Sequence, residues 1–232
     1  SLALEVNTTT SPVAESFTVG GQTLSLDLPA GSFLRVRGTG VTLAFAGQSL
    51  SADVEVTKTT GALNVQVTNG RLVLGTASQA LVTVTDIDGD VTLTGAGLYG
   101  EVSASVQLDV PSITLEGDFG LRFNTTAADV QIAGAGTPAD LTDDDWLYQG
   151  IRVVATGAEL TIAGQSLGGN VVIERRTGTA QPEVSIAFAD LTLNLGGAVV
   201  VLAEHHWSGA VLVTPTGVAA TFSGSLGGTG SV

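Results

Sequence analysis

The chain writes one stretch of sequence twice. Residues 35–61 read RVRGTGVTLAFAGQSLSADVEVTKTTG, and residues 152–178 read RVVATGAELTIAGQSLGGNVVIERRTG. The two lie 117 residues apart (152 less 35), and the same interval carries Asn7-Thr8-Thr9 onto Asn124-Thr125-Thr126. Further on the interval stretches: residues 64–67 fall on 185–188 at 121, and residues 97–105 on 217–225 at 120. A chain of 232 residues built this way is a piece of a repeat architecture, so its fold must be one that a second copy can extend. We take residues 1–117 as the first β-repeat and 118–232 as the second.

Within each copy the hydrophobic period is two. Val41, Leu43 and Phe45 alternate with Thr42, Ala44 and Ala46; Leu50, Ala52, Val54 and Val56 with Ser51, Asp53, Glu55 and Thr57; Leu63, Val65 and Val67 with Asn64, Gln66 and Thr68. Such strands have one apolar and one wet face, as an antiparallel sheet with one packed side requires. Gly20-Gly21, Gly47-Gln48, Asn69-Gly70, Asp88-Gly89 and Gly164-Gln165 sit between alternating runs and read as hairpin turns. Two-residue turns cannot join parallel neighbours, which favours a meander over a parallel solenoid. No segment shows a helical period; residues 138–145 read as a loop or one short helical turn. The expected fold is all-β: two fused antiparallel β-meander repeats of about 115 residues forming an elongated sandwich-like rod, with a β-solenoid as the alternative.

The junction between the copies is informative. Leu98, Val102, Ala104, Val106 and Leu108 share one face. After a turn at Val110-Pro111-Ser112, Ile113, Leu115, Phe119, Leu121 and Phe123 share the inner face of a strand that crosses the junction in phase. That strand would be roughly 35–40 Å long, with no Pro/Ser/Gly linker of the kind that separates independent domains. Residues 1–7 correspond to 118–124, and Val232 to Ser112, so the chain is expected to begin inside this strand and stop before its next occurrence. Unpaired strand edges recruit strands. Leu2, Leu4 and Val6 at one end, and Phe222 and Leu226 at the other, are therefore candidate assembly residues. The expected partner is a second copy bound head to tail, or further repeats of the same parent chain.

The net charge is −14 and Lys58 is the only lysine. Such a surface repels nucleic acid and anionic lipid and suits high salt or divalent cations. The absence of Cys excludes disulfides, thiolate metal sites and thiol nucleophiles. The longest apolar run, residues 198–203, is far short of the ~18 residues of a membrane-spanning helix, so insertion into a membrane is not expected.

Asp86, Asp88 and Asp90 place three carboxylates around what reads as a hairpin tip, and Asp143, Asp144 and Asp145 form the densest acidic stretch. Both are candidate metal sites, with Ca²⁺ the fitting cation because hard ions take clustered oxygens. The residues matching the first cluster in the other copy are His206, Ser208 and Ala210, so it is not part of the repeat. His205 and His206 point to opposite faces of a strand and have no third histidine to complete a zinc site. No nucleophile-elbow pattern accompanies them, and no enzymatic activity is expected. Trp146, Tyr148 and Trp207 are candidate ligand-binding residues, able to stack on sugars. Asn7-Thr8-Thr9 and Asn124-Thr125-Thr126 match the N-glycosylation pattern.

The Gly/Thr/Val/Asp-rich strands, the duplicated GTGVTLAFAGQSL and ATGAELTIAGQSL runs and the missing Cys resemble the tandem β-strand repeats of giant bacterial surface proteins. The resemblance covers essentially the whole chain and is one of style and repeat pattern. It implies an exported, extracellular or cell-surface protein, often calcium-stabilised, serving as adhesin stalk, filament or sheath. The Gly-Gly-x-Gly-x-Asp nonapeptides of the repeats-in-toxin type are absent, so that family's parallel calcium roll is not implied. Two functions follow as expectations: a structural segment of a self-assembling surface filament, sheath or adhesin stalk, or an adhesin or carbohydrate-binding module.

Overall fold

The two-residue period becomes strand throughout. A computed structural model describes residues 1–45, 48–76, 79–132, 146–177, 183–194 and 207–224. Sixteen strands follow one another: β1 (Leu2–Asn7), β2 (Val13–Val19), β3 (Gln22–Leu28), β4 (Phe33–Phe45), β5 (Gln48–Lys58), β6 (Ala62–Thr76), β7 (Gln79–Thr94), β8 (Gly97–Val110), β9 (Ile113–Asn124), β10 (Val130–Gln131), β11 (Trp146–Leu147), β12 (Gly150–Ile162), β13 (Gln165–Arg176), β14 (Glu183–Asn194), β15 (Trp207–Thr214) and β16 (Gly217–Gly224). Twelve of them form one sheet in the order β1-β4-β5-β6-β7-β8-β9-β12-β13-β14-β15-β16. Every pairing is antiparallel, as the tight turns demanded, and the parallel solenoid is not found. β1 and β16 are its two edges, so the sheet is not closed into a barrel. Hairpins β2-β3 and β10-β11 leave the sheet between β1 and β4 and between β9 and β12.

β9 runs through positions 117 and 118 without a break and pairs along its length with β8 on one side and β12 on the other. The hydrogen-bonded plane is thus continuous across the junction. Register is equally continuous. One row crosses all twelve strands as Leu2, Gly38, Val54, Val67, Gly89, Val102, Leu121, Val153, Ile173, Ile186, Val211 and Ala220, without a charge. Because neighbours along a strand point to opposite faces, the row between holds the polar set, among them Arg37, Glu55, Asp90, Glu101, Arg122, Arg152 and Glu174.

The apolar face has no second layer among the described residues. Among the described residues only Leu28, Ala52 and Leu147 are buried apolar side chains, and of these Ala52 alone belongs to the sheet, while Ile151, Ile173 and Leu167 on the apolar face stay nearly half exposed. The accessible surface is 14516 Å². A compact monomer of 23.2 kDa exposes about 9,700 Å². Most described strands lie in one broad sheet, and among the described residues no second layer completes the sandwich expected from the sequence.

Two of the expected turns are corrected. Asn69-Gly70 and Asp88-Gly89 lie inside β6 and β7, and the register slips beside them between Val67 and Gly70 and between Thr85 and Asp88. They are β-bulges. Asn69 (φ 54°) adopts the left-handed conformation that type I′ turns also use, so Asn-Gly marks both devices; in the second bulge Asp86 (φ 52°) takes that conformation. Gly20-Gly21 is a true turn, with φ of 58° and 81°. The second true turn is Ala163-Gly164, one residue before the expected Gly164-Gln165. Residues 46–47 lie outside the described residues.

Candidate functional site

The best-defined polar sites hold the frame together. Asn7 and Asn124 end β1 and β9 and are exposed by only 3% and 1%. Asn7 donates both amide hydrogens, to the carbonyls of Ser11 (3.1 Å) and Pro29 (2.8 Å), and its Oδ1 accepts from the Thr9 N–H and Oγ1–H, each at 2.8 Å. Asn124 repeats this with the carbonyls of Ala128 and Leu147 (both 2.8 Å) and with Thr126 N–H (2.9 Å) and Oγ1–H (2.7 Å). Each side chain ties the root of an excursion, β2-β3 or β10-β11, back to the sheet. A glycan on Nδ2 would need a hydrogen that the enclosed amide already donates to a backbone carbonyl. The two sequons are therefore internal clamps, and the glycosylation reading is corrected.

A second polar device follows the bulges. Gly40 and Gly157 take φ of 63° and 57°, where an L side chain is strained. The Gly40 N–H donates to Asp53 Oδ1 at 2.7 Å, and the Gly157 N–H to Asn170 Oδ1 at 2.8 Å. Asn69 continues the first line, donating from Nδ2 to Asp53 Oδ2 (3.0 Å) and from its N–H to Asp88 Oδ1 (3.1 Å). Asn170 continues the second by donating to Asp190 Oδ2 at 3.4 Å. The Gly40 amide, then the Asn69 amide, hold the Asp53 carboxyl below its ordinary 3.8. Beside it the Arg37 guanidinium holds Glu55 below its ordinary 4.5.

The polar face carries a trough of about 560 Å³ at the centre of the sheet, with Asp88, Asp90, Glu101, Asp118, Arg122 and Arg152 among its walls. Arg122 and Arg152 sit opposite each other in register, and Arg122 pairs with Glu101 at 3.1 Å. Arg152 Nε is buried without a hydrogen-bond partner. Sequence reasoning passed over these residues, since lone charges on separate strands give no local motif; only the register assembles them.

The metal candidates divide. Asp88 and Asp90 share the polar face of β7, where Asp88 accepts from Asn69 and Asp90 from Asn64 Nδ2 at 2.5 Å. Asp86 occupies the bulge inside the strand, so the expected hairpin-tip cluster is corrected to a mid-strand one. Among the described residues no three acidic or histidine side chains come together to hold a metal ion. Asp143, Asp144 and Asp145 lie outside the described residues, as do His205, His206 and Leu226.

The aromatic candidates are not brought together. Tyr148 is covered by the Arg176 guanidinium, 4.3 Å from its ring centroid, and Trp146 Nε1 is buried without a partner. Trp207 lies in β15 opposite Leu191, on the apolar face, against Leu167, Phe188 and Leu193. Of the assembly candidates, Leu2, Leu4 and Val6 on edge strand β1 are 78%, 66% and 48% exposed, and Phe222 on edge strand β16 is 59% exposed. Phe222 also stacks on Phe188, with centroids 5.6 Å apart, across Gly209.

Comparison with known family models, curated proteins and solved structures found no match to this chain. Among the described residues no helix is long and apolar enough to cross a membrane.

Proposed function

We propose that this chain is a structural, extracellular repeat segment of a self-assembling surface filament, sheath or adhesin stalk, made of two copies of one unit that gives six strands to the sheet and one hairpin outside it. One observation carries the reading. The same clamp (Asn7, Asn124) and the same bulge lock (Gly40–Asp53, Gly157–Asn170) stand 117 residues apart inside one uninterrupted sheet. Repetition without a linker suits a part whose work is to extend and bear load, since hydrogen bonds pass tension from strand to strand across the junction. The exposed edges β1 and β16 are where further units would add, from a second copy or the same parent chain. No catalysis enters this account. Calcium is a proposed assembly factor, acting on the acidic surface.

The test is electron microscopy of the purified chain beside a version lacking residues 1–7. Elongated particles lost on deletion support edge-to-edge growth; identical particles from both refute it.

A second reading, an adhesin or carbohydrate-binding module, is favoured by the central trough with its unpaired Arg152 Nε. It expects retention on a glycan array that Arg152→Ala abolishes, whereas Trp207→Ala, on the opposite face, leaves retention intact.

A further inference from the structure

We propose that the apolar face of the sheet is covered by the apolar face of a second copy, so that the sandwich is completed between chains rather than within one. This rests on the self-assembly reading and names a different surface for it, the face instead of the edge.

Three observations support a second copy. The first is area. Twelve strands at ~4.8 Å spacing and inner strands of ~35 Å give a face of roughly 2,000 Å². A stable interface of standard size needs only about 800 Å² from each partner.

The second is the distribution of charge. The net charge is −14, yet on the apolar face the register places only Lys58 and Arg175 among the described charged side chains, the acids at the bulges aside. Both lie toward the same ends of the strands, both are exposed, and they are 117 residues apart. Long cationic stems at a margin can reach past an apolar contact to water. Two such faces meet without the repulsion that two polar faces would suffer.

The third is the absence of a core. Among the described residues Leu28, Ala52 and Leu147 are the only buried apolar side chains. A single layer removes little apolar surface from water, and chain entropy of ~1–2 kcal/mol per residue must be offset by that removal. The identical partner supplies a matching layer of the same width, with the two sheets ~10 Å apart.

Thiol reactivity tests this cleanly, because the chain has no Cys of its own. Ile173→Cys places a thiol on the apolar face, where Ile173 is 44% exposed in the lone sheet. Ser185→Cys places one on the exposed polar face of the next strand, facing Glu174. Each variant is labelled with a maleimide across a dilution series while light scattering reports mass. The expected result is a mass of two chains or an even multiple, with at least tenfold slower labelling at 173 than at 185. Labelling at 173 should accelerate as dilution returns the mass to one chain. Protection at 173 in a monomer would overturn the proposal, since residues of the same chain would then be the cover. Rapid labelling at 173 at every concentration would overturn it too, as would protection that appears only with anionic lipid vesicles. The same series on the chain lacking residues 1–7 separates the two readings. Elongated growth should vanish while the face-to-face pair and its protection remain. Loss of both assigns assembly to the edge alone and refutes the face.

Discussion

The polar faces of β1-β4-β5 and of β9-β12-β13 occupy corresponding places in the two halves of the sheet and carry different chemistry. In the first, Glu5, Arg35, Arg37 and Glu55 close a ring of four ion pairs between 2.6 and 3.2 Å. In the second, the residues 117 further on are Arg122, Arg152, Val154 and Val172, and two arginines face each other where the first half pairs opposite charges. Beneath this difference the backbone devices are unchanged: a buried Asn clamp and a left-handed glycine bulge. Positions constrained by burial or by φ recur; half-exposed ion pairs, worth under ~1 kcal/mol, are free to diverge. Whatever distinguishes the two halves in use should reside on the polar face.

The largest break in this comparison should come from the clamps. Asn124→Ala removes the four hydrogen bonds of a buried side chain at the middle of the sheet and should cost about 3 kcal/mol in denaturant unfolding. Asn7→Ala, on an edge strand, should cost about half as much and leave the second half's amide protection unaltered. An equal loss at both sites would mean that edge and centre are not energetically distinct. Next come the bulges. Gly40→Ala and Gly157→Ala each force a Cβ into left-handed backbone, although open space surrounds both sites. Each should cost about 1–2 kcal/mol, and the two values should agree.

Acid separates the halves more gently. Asp53 and Glu55 have folded values lowered from 3.8 and 4.5, so each contributes fully above its ordinary value and loses that contribution as pH falls through its lowered one. Their counterparts Asn170 and Val172 do not titrate in that range. Amide protection at Gly40 should therefore fall severalfold on acidification while that at Gly157 holds, and Asp53→Asn should remove most of the contrast. The smallest effect is expected from Arg37→Ala, which opens two of the four ion pairs on an exposed surface. The change in unfolding free energy should stay below ~1 kcal/mol.

The all-β class, the antiparallel order and the continuous junction strand were legible because alternation and in-phase apolar residues are local properties of sequence. Residues 113–123 kept their phase across the junction, and β9 follows them. Asn69-Gly70 was misread because a bulge and a hairpin turn require the same backbone conformation, and only the partner strand tells them apart; Asp88-Gly89 was misread because an Asp-Gly pair also fits regular strand, here just past the bulge at Asp86. Asn7 and Asn124 were seen only as matches to the N-glycosylation pattern, since Asn-x-Thr does not reveal that its amide is enclosed. The central trough was invisible, because Glu101, Arg122 and Arg152 meet only through the register of three strands.

The central claim is that this sheet is a unit of assembly. Light scattering on the purified chain, in millimolar Ca²⁺ and then in EDTA, addresses it most directly. The account predicts mass growing with concentration into elongated particles, and a decline in EDTA would assign the proposed calcium role. A monomer of 23.2 kDa at every concentration, with and without calcium, would contradict it.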